Sequence, residues 1–209
     1  MLKKYRKTLI VTTIIILLPV LAGVILWNKL PDPMPIHWNA MGEVDGWASK
    51  AVAVFGIPAI LAALNLVCHI ATGSDKKNKN QSKKVVSIIF WLVPIIANVT
   101  CTMVYLTAMN IEVNALNIVA ALLGIVFAII GNYMPKCKKN HTIGVKVAWT
   151  LGNEENWNKT HRLAGWLMVI CGFAFIVNAF ILSELVFIFC MVAALAPMVY
   201  SYILYKKGI

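Results

Sequence analysis

The sequence predicts an all-α polytopic membrane protein with six transmembrane helices and both termini in the cytoplasm. Three observations carry this. Apolar residues make up 60% of the chain and charged residues only 13%, outside the range of soluble domains. Six apolar runs are each long enough to cross about 30 Å of hydrocarbon as a helix. The basic residues fall in clusters between those runs, almost all on one side of them. Continuous runs of this kind point to helices, because a lipid-facing backbone must satisfy its own hydrogen bonds and barrel strands would be short and alternating.

The runs lie at 8–28, 51–71, 85–107, 112–132, 162–181 and 184–205. The first follows a basic start, MLKKYRK, as in a signal peptide. Its apolar run of about 20 residues exceeds an h-region and no cleavage site follows, so it is expected to remain as the first span. Counting charges between the runs sets the orientation. Lys3, Lys4, Arg6, Lys7, Lys76, Lys77, Lys79, Lys83 and Lys84 share a side with Lys136, Lys138, Lys139, Lys146, Lys159, Arg162, Lys206 and Lys207, 17 bases in all. Only Lys29 and Lys50 fall opposite, while the acids divide three (Asp75, Glu154, Glu155) to five (Asp32, Glu43, Asp45, Glu112, Glu184). The positive-inside rule then places the richer side in the cytoplasm. The formal charge of +11 is thus a topology signal, and with no nucleic-acid motif behind it direct nucleic-acid binding is not expected.

Within the spans, Pro19, Pro58, Pro94 and Pro197 read as gentle kinks or, alternatively, as hinges of a broken-helix binding site. Polar groups there are few: Asn65, His69, Asn98, Asn117 and Asn178. No acid or base stands at mid-span, which counts against a proton-driven pump. His69 reads as a packing or interfacial residue. Ala120, Gly124 and Ala128 in the fourth span repeat at four residues and predict a close-packed face, with the partner helix left open. Five cysteines without CxxC spacing give no disulfide framework or metal motif, and no cofactor is predicted.

The connection at 29–50 is the only one on the side opposite the bases with much polar sequence, and it predicts an ordered extracellular cap. Pro31, Pro33 and Pro35 stiffen an extended lead into His37 and Trp38, and turns are expected at Met41-Gly42 and Asp45-Gly46. Trp38 and Trp47 suit the headgroup level. His37 with Glu43 and Asp45 admits a metal or acid–base reading, yet without a second histidine or HExxH the structural reading stands beside it. As a surface for an external ligand, the loop offers His37, Trp38, Asn39, Glu43, Asp45, Trp47 and Lys50.

The second polar segment runs from Gly131 to Gly165, with residues 132–161 forming a cytoplasmic loop. Pro135 should end the fourth span at Met134. Lys136, Lys138 and Lys139 suit the anionic headgroup level. Asn140 and Gly144 bracket a turn, and Asn153 with Glu154 and Glu155 forms a helix start. From there Trp157, Thr160, His161 and Ala164 share one face of an interfacial helix leading into the fifth span. Two readings remain open: a lipid anchor, with His161 and Arg162 snorkelling or binding phosphate, or a docking surface for a cytoplasmic protein. A Cys137–His141 nucleophile pair is poorly placed, because Pro135 and the turn residues break the helix it would need.

Two blocks of residues resemble the SdpI immunity-protein family of bacterial multi-pass membrane proteins. Pro33-Met-Pro-Ile-His37-Trp38-Asn39, Gly42, Asp45-Gly46-Trp47 and Lys50 resemble the small domain of unknown function at the front of such proteins, with its PxHWN pattern. Gly131-Asn132-Tyr133-Met134-Pro135-Lys136, Asn140, Ile143-Gly144, Trp149-Thr150-Leu151, Trp157 and Thr160-His161-Arg162 resemble the family's inner-loop signature. The pattern leads one to expect an arginine in the stretch where Lys146 stands; the lysine keeps the positive charge but loses the planar bidentate geometry.

The resemblance implies a cell-membrane protein of a Gram-positive bacterium that confers immunity to a secreted antimicrobial peptide or protein toxin and has no enzyme activity. It also implies a signalling role, in which the toxin-engaged protein holds a small transcriptional autorepressor at the membrane. The docking set for that partner is Asn132, Pro135, Lys136, Asn140, Gly144, Lys146, Trp149, Thr150, Trp157, Thr160, His161 and Arg162. Pro19, Pro58 and Pro94 are candidate hinges for coupling the two caps. Membrane lipids are expected partners throughout. A small transporter, using Asn98 or Asn178, and a membrane-embedded enzyme are the alternatives.

Overall fold

A computed structural model describes residues 2–75, 78, 81–182 and 184–209. Lys76, Lys77 and Lys79 of the charge count lie outside the described residues, as do the side chains of Lys3 and Glu184. The long elements are α1 (Leu2–Ile25), α2 (Ile57–Ser74), α3 (Lys83–Ala108), α4 (Ala115–Tyr133), α6 (Glu154–Ile181) and α7 (Glu184–Lys206), with the short α5 (Ala148–Gly152) between α4 and α6. Six segments are long and apolar enough to cross a membrane. The protein is therefore an all-α, multi-pass membrane protein. Large apolar side chains such as Ile14 and Leu21 on α1, and Phe173 and Phe180 on α6, are exposed, as lipid-facing helices require.

The chain packs as two units, Met1–Gly73 with Ile89–Leu116, and Ser74–Ile88 with Asn117–Ile209. In the first, proline chemistry explains much of the helix pairing. Pro19 has no N–H for the carbonyl of Ile15, four residues earlier. The Asn98 side chain replaces it: its Nδ2 donates to Ile15 O at 3.0 Å and to Pro94 O at 2.9 Å. Tyr105 Oη then donates to Pro19 O at 2.9 Å, and Gly23 leaves room for that hydroxyl, since a Cβ there would lie 2.7 Å from it. Asn98, a residue considered for a transport path, thus has a structural task. Pro58 follows a π turn, Val52–Gly56, that leads directly into α2. Asn65 Nδ2 donates to Thr12 Oγ1 at 3.0 Å, and His69 stacks on Phe90 with ring centroids 3.8 Å apart. His69 is a packing residue, as expected.

This unit also contains structure that the sequence reading lacked. Within the 29–50 cap, Met34–Trp38 (β1) and Val44–Ala48 (β2) pair as an antiparallel hairpin. The turn at Met41-Gly42 is present, with Gly42 at φ +83. The turn expected at Asp45-Gly46 is not, because both residues lie inside β2. Gly46 serves a close approach there: a Cβ would sit 2.6 Å from His37 Cβ, at an irregularity in the strand register.

In the second unit α4 and α6 touch backbone to backbone. A Cβ on Gly124 would lie 2.7 Å from Gly172 O, and one on Gly131 would lie 2.8 Å from Gly165 O. The small-residue face of the fourth span therefore packs on a helix of the same chain. Phe175, Cys171, Cys190 and Ala193 form the apolar cluster between α6 and α7. The interfacial helix and the fifth span are one uninterrupted helix, since no proline or glycine separates Glu154 from Arg162. Asn153 caps it as expected, its Oδ1 accepting from Glu155 N at 2.8 Å and Asn156 N at 3.1 Å.

Candidate functional site

The hairpin sorts its residues by strand alternation. Met34, Ile36 and Trp38 turn inward onto Leu30, Val54, Val104 and Tyr105. His37, Glu43, Asp45 and Trp47 remain exposed. His37 Nδ1 lies 2.5 Å from Asp45 Oδ1, both side chains being well exposed. Asn39 builds the turn: its Oδ1 accepts from Met41 N at 2.9 Å and Glu43 N at 3.0 Å, and its Nδ2 donates to Glu43 Oε2 at 3.1 Å. Lys50 faces its own unit, donating from Nζ to Trp27 O at 3.0 Å while lying 5.2 Å from the Trp27 ring centre. Of the ligand-facing set, His37, Glu43, Asp45 and Trp47 are presented outward, whereas Asn39, Trp38 and Lys50 support them. Among the described residues, no three His, Cys, Asp or Glu side chains gather as a metal site.

The 131–165 segment does the opposite. Asn140, Thr150, Trp157, Thr160 and His161 are fully buried. Trp157 Nε1 donates to Cys137 O at 2.8 Å, which ties the end of the 3-10 turn Met134–Lys136 to α6. His161 stacks on Trp157 at 3.9 Å, donates from Nδ1 to Trp157 O at 2.8 Å and accepts at Nε2 from Val145 N at 3.1 Å. This pattern holds a neutral imidazole in one tautomer. Gly144, at φ +103, passes directly over it, and a Cβ there would lie 2.1 Å from Nε2. Asn140 closes the preceding turn, its Oδ1 accepting from Thr142 N at 2.7 Å and Ile143 N at 2.6 Å. Thr150 Oγ1 accepts from Val147 N at 3.1 Å and lies 2.8 Å from Val145 O.

Of the docking set, Asn140, Thr150, Trp157, Thr160 and His161 are buried and spend their polar atoms on bonds within the chain. Asn132, Pro135, Lys136, Lys146 and Arg162 are exposed, and Gly144 and Trp149 half-buried. Trp149 Nε1 donates to Ser201 Oγ at 2.8 Å and borders a cleft of about 600 Å³ with Ala148, Gly152, Asn153 and Tyr205. Asn132, Pro135, Lys136 and Arg162 line a separate groove of about 310 Å³. Cys137 is buried, which pushes its thiol up to about 11 and leaves it unreactive near neutrality.

Some of these residues escaped the sequence reading. Asn156, fully buried, donates from Nδ2 to Ser201 O at 2.9 Å and to Ile209 O at 3.0 Å, while its Oδ1 accepts from Thr160 Oγ1 at 3.1 Å. Its place four residues before Thr160, on the same helix face, was the available signal. Gln81 grips Lys138 from both amide ends, accepting from its N–H at 3.0 Å and donating to its carbonyl. Asp75 Oδ2 accepts from His141 N at 2.8 Å. Neither residue carries a spacing that could have announced these contacts.

Comparison with known proteins finds two family models and a curated relative. Residues 136–201 match the model described as the SdpI/YfhL protein family, and residues 14–62 match a domain of unknown function, DUF1648. The chain is 29% identical over 205 residues to "Immunity protein SdpI" of Bacillus subtilis (strain 168), covering 96% of this chain and 97% of that relative. No solved structure matches significantly.

Proposed function

From the match to the SdpI/YfhL family model and the likeness to an immunity protein, we propose that the chain belongs to that family and is an immunity protein, protecting the bacterial membrane that carries it from a secreted antimicrobial peptide or protein toxin. The observation that carries this reading is the likeness to an immunity protein along 96% of the chain, hairpin and buried segment included. The positive-inside count assigns both termini and the 132–161 loop to the cytoplasm, and the hairpin to the outside. The toxin-facing surface is then His37, Glu43, Asp45 and Trp47, two carboxylates, an imidazole and an indole held on a strand pair whose other face is anchored in the core. The test is killing by the cognate toxin of a sensitive strain with and without the gene. Expression should restore growth, and Asp45→Ala with Trp47→Ala should remove that protection without lowering the protein's level in the membrane. Equal killing with and without the intact chain, across candidate toxins, would sink the immunity reading.

The finer proposal is that the cytoplasmic segment holds a small transcriptional repressor at the membrane when toxin is bound. Of the docking residues left at the surface, Asn132, Pro135, Lys136 and Arg162 line the separate groove, and we assign the repressor to Lys146 and the cleft beside Trp149. Lys146→Glu should release the repressor into the cytosol while immunity persists. Recruitment that survives this charge reversal counts against docking at that face.

A further inference from the structure

The groove at the end of α4 is a chemically distinct feature that the immunity reading does not use. Its floor is the Gly131–Gly165 contact, where neither helix carries a side chain. One end holds Lys136 and Arg162, both exposed. Among the described residues neither has a carboxylate partner, in contrast to Lys159, which pairs with Glu155 at 2.8 Å. None of the residues lining the groove is acidic. The other end is apolar, with Trp166 and Val169.

The groove also continues onto a lipid-facing surface. Trp166 is 64% exposed, and Ile170, Phe173 and Val177 continue the exposed apolar stripe along α6. These positions follow Arg162 at the three- and four-residue spacing of one helix face. A span of about 20 residues ending at Ile181 begins near Arg162, which sets that guanidinium at the headgroup level. Lys136 Nζ lies 4.6 Å from the Tyr133 ring centre, which orients it without neutralising it. Two cations without a carboxylate partner above an apolar channel match one kind of occupant: a phosphate ester carrying acyl chains. Arginine supplies the planar fork that suits phosphate oxygens, and lysine supplies a point charge.

We propose that this groove is a binding site for an anionic phospholipid, with the phosphate held between Lys136 and Arg162 and an acyl chain lying along Trp166 and Val169. The Gly131–Gly165 contact gives the chain its depth, since side chains at either position would fill the floor. The site requires neither the toxin nor the repressor and can fail or stand independently of the immunity reading.

Native mass spectrometry of the full-length protein, delipidated in mild detergent and titrated with phosphatidylglycerol or phosphatidylcholine, tests it. Two surface cations predict a preference of about 30-fold for phosphatidylglycerol. Lys136→Gln with Arg162→Gln should abolish that preference, and Lys138→Gln with Lys139→Gln should keep it. Inorganic phosphate at millimolar concentration should fail to displace the lipid. Equal retention of the two lipids by the wild-type protein would overturn the proposal without any variant. So would an unchanged preference in the Lys136/Arg162 variant, or displacement by free phosphate, which would assign the cations to a soluble anion.

Discussion

The hairpin and the 131–165 segment carry the two densest sets of polar and aromatic side chains, and they use them in opposite ways. On the hairpin, the apolar residues face inward and the chemistry faces out: His37 and Asp45 meet at 2.5 Å in solvent, where such a pair contributes little to stability. In the segment, tryptophan, histidine, threonine and asparagine side chains turn inward and replace a hydrophobic core. Trp157, His161, Asn140 and Thr150 each bind backbone groups that a loop of this kind would otherwise leave unpaired. Similar residue types are therefore presented to solvent in one place and used as architecture in the other. Burial, which composition does not reveal, decides between them.

Three measurements would break or sharpen this contrast. The largest effect is expected at Trp157→Ala, which removes a fully buried indole and its hydrogen bond to Cys137 O, at a cost of about 4 kcal/mol. It should show as a large fall in Tm in mild detergent, and a Tm near wild type would mean the segment is not held from inside. Cys137 gives an intermediate effect through pH. Its folded pKa of about 11 lies above the ordinary 9.0, so the buried neutral thiol favours the fold below about pH 9 and that contribution fades as pH rises through 11. Maleimide should label Cys137 slowly at pH 7 in the folded protein and rapidly after unfolding; fast labelling of the folded state would place the thiol in solvent. The smallest effect belongs to His37→Ala with Asp45→Ala, which should cost less than about 1 kcal/mol because the pair is exposed. A larger loss would show that the hairpin pair has a structural task after all.

Much of this was legible in the sequence. Apolar run length and charge clustering gave six helices, Asn153 with Glu154 and Glu155 announced the start of α6, and Pro135 marked the end of α4. The hairpin was missed because Pro33 and Pro35 argue against a strand, whereas a two-stranded sheet, being all edge, tolerates Pro35 within one. The Asp45-Gly46 turn signal was overridden by pairing with β1. The burial of Asn140, Thr150, Trp157, Thr160 and His161 was not legible, because a family signature names residues without saying which way they point. Pairings such as Asn98 with Ile15, 83 residues apart, depend on a helix register that one sequence does not contain.

Pro19 is the residue most easily mistaken for a moving part. Its freed carbonyl partner, Ile15 O, is taken by Asn98, and its own carbonyl is taken by Tyr105. Without Asn98, Ile15 O would be stranded in hydrocarbon, where no water can replace the lost donor. The proline is therefore a rivet between α1 and α3. Whatever yields in this unit, the joint at Pro19, tied to α3 at both Ile15 O and Pro19 O, yields late.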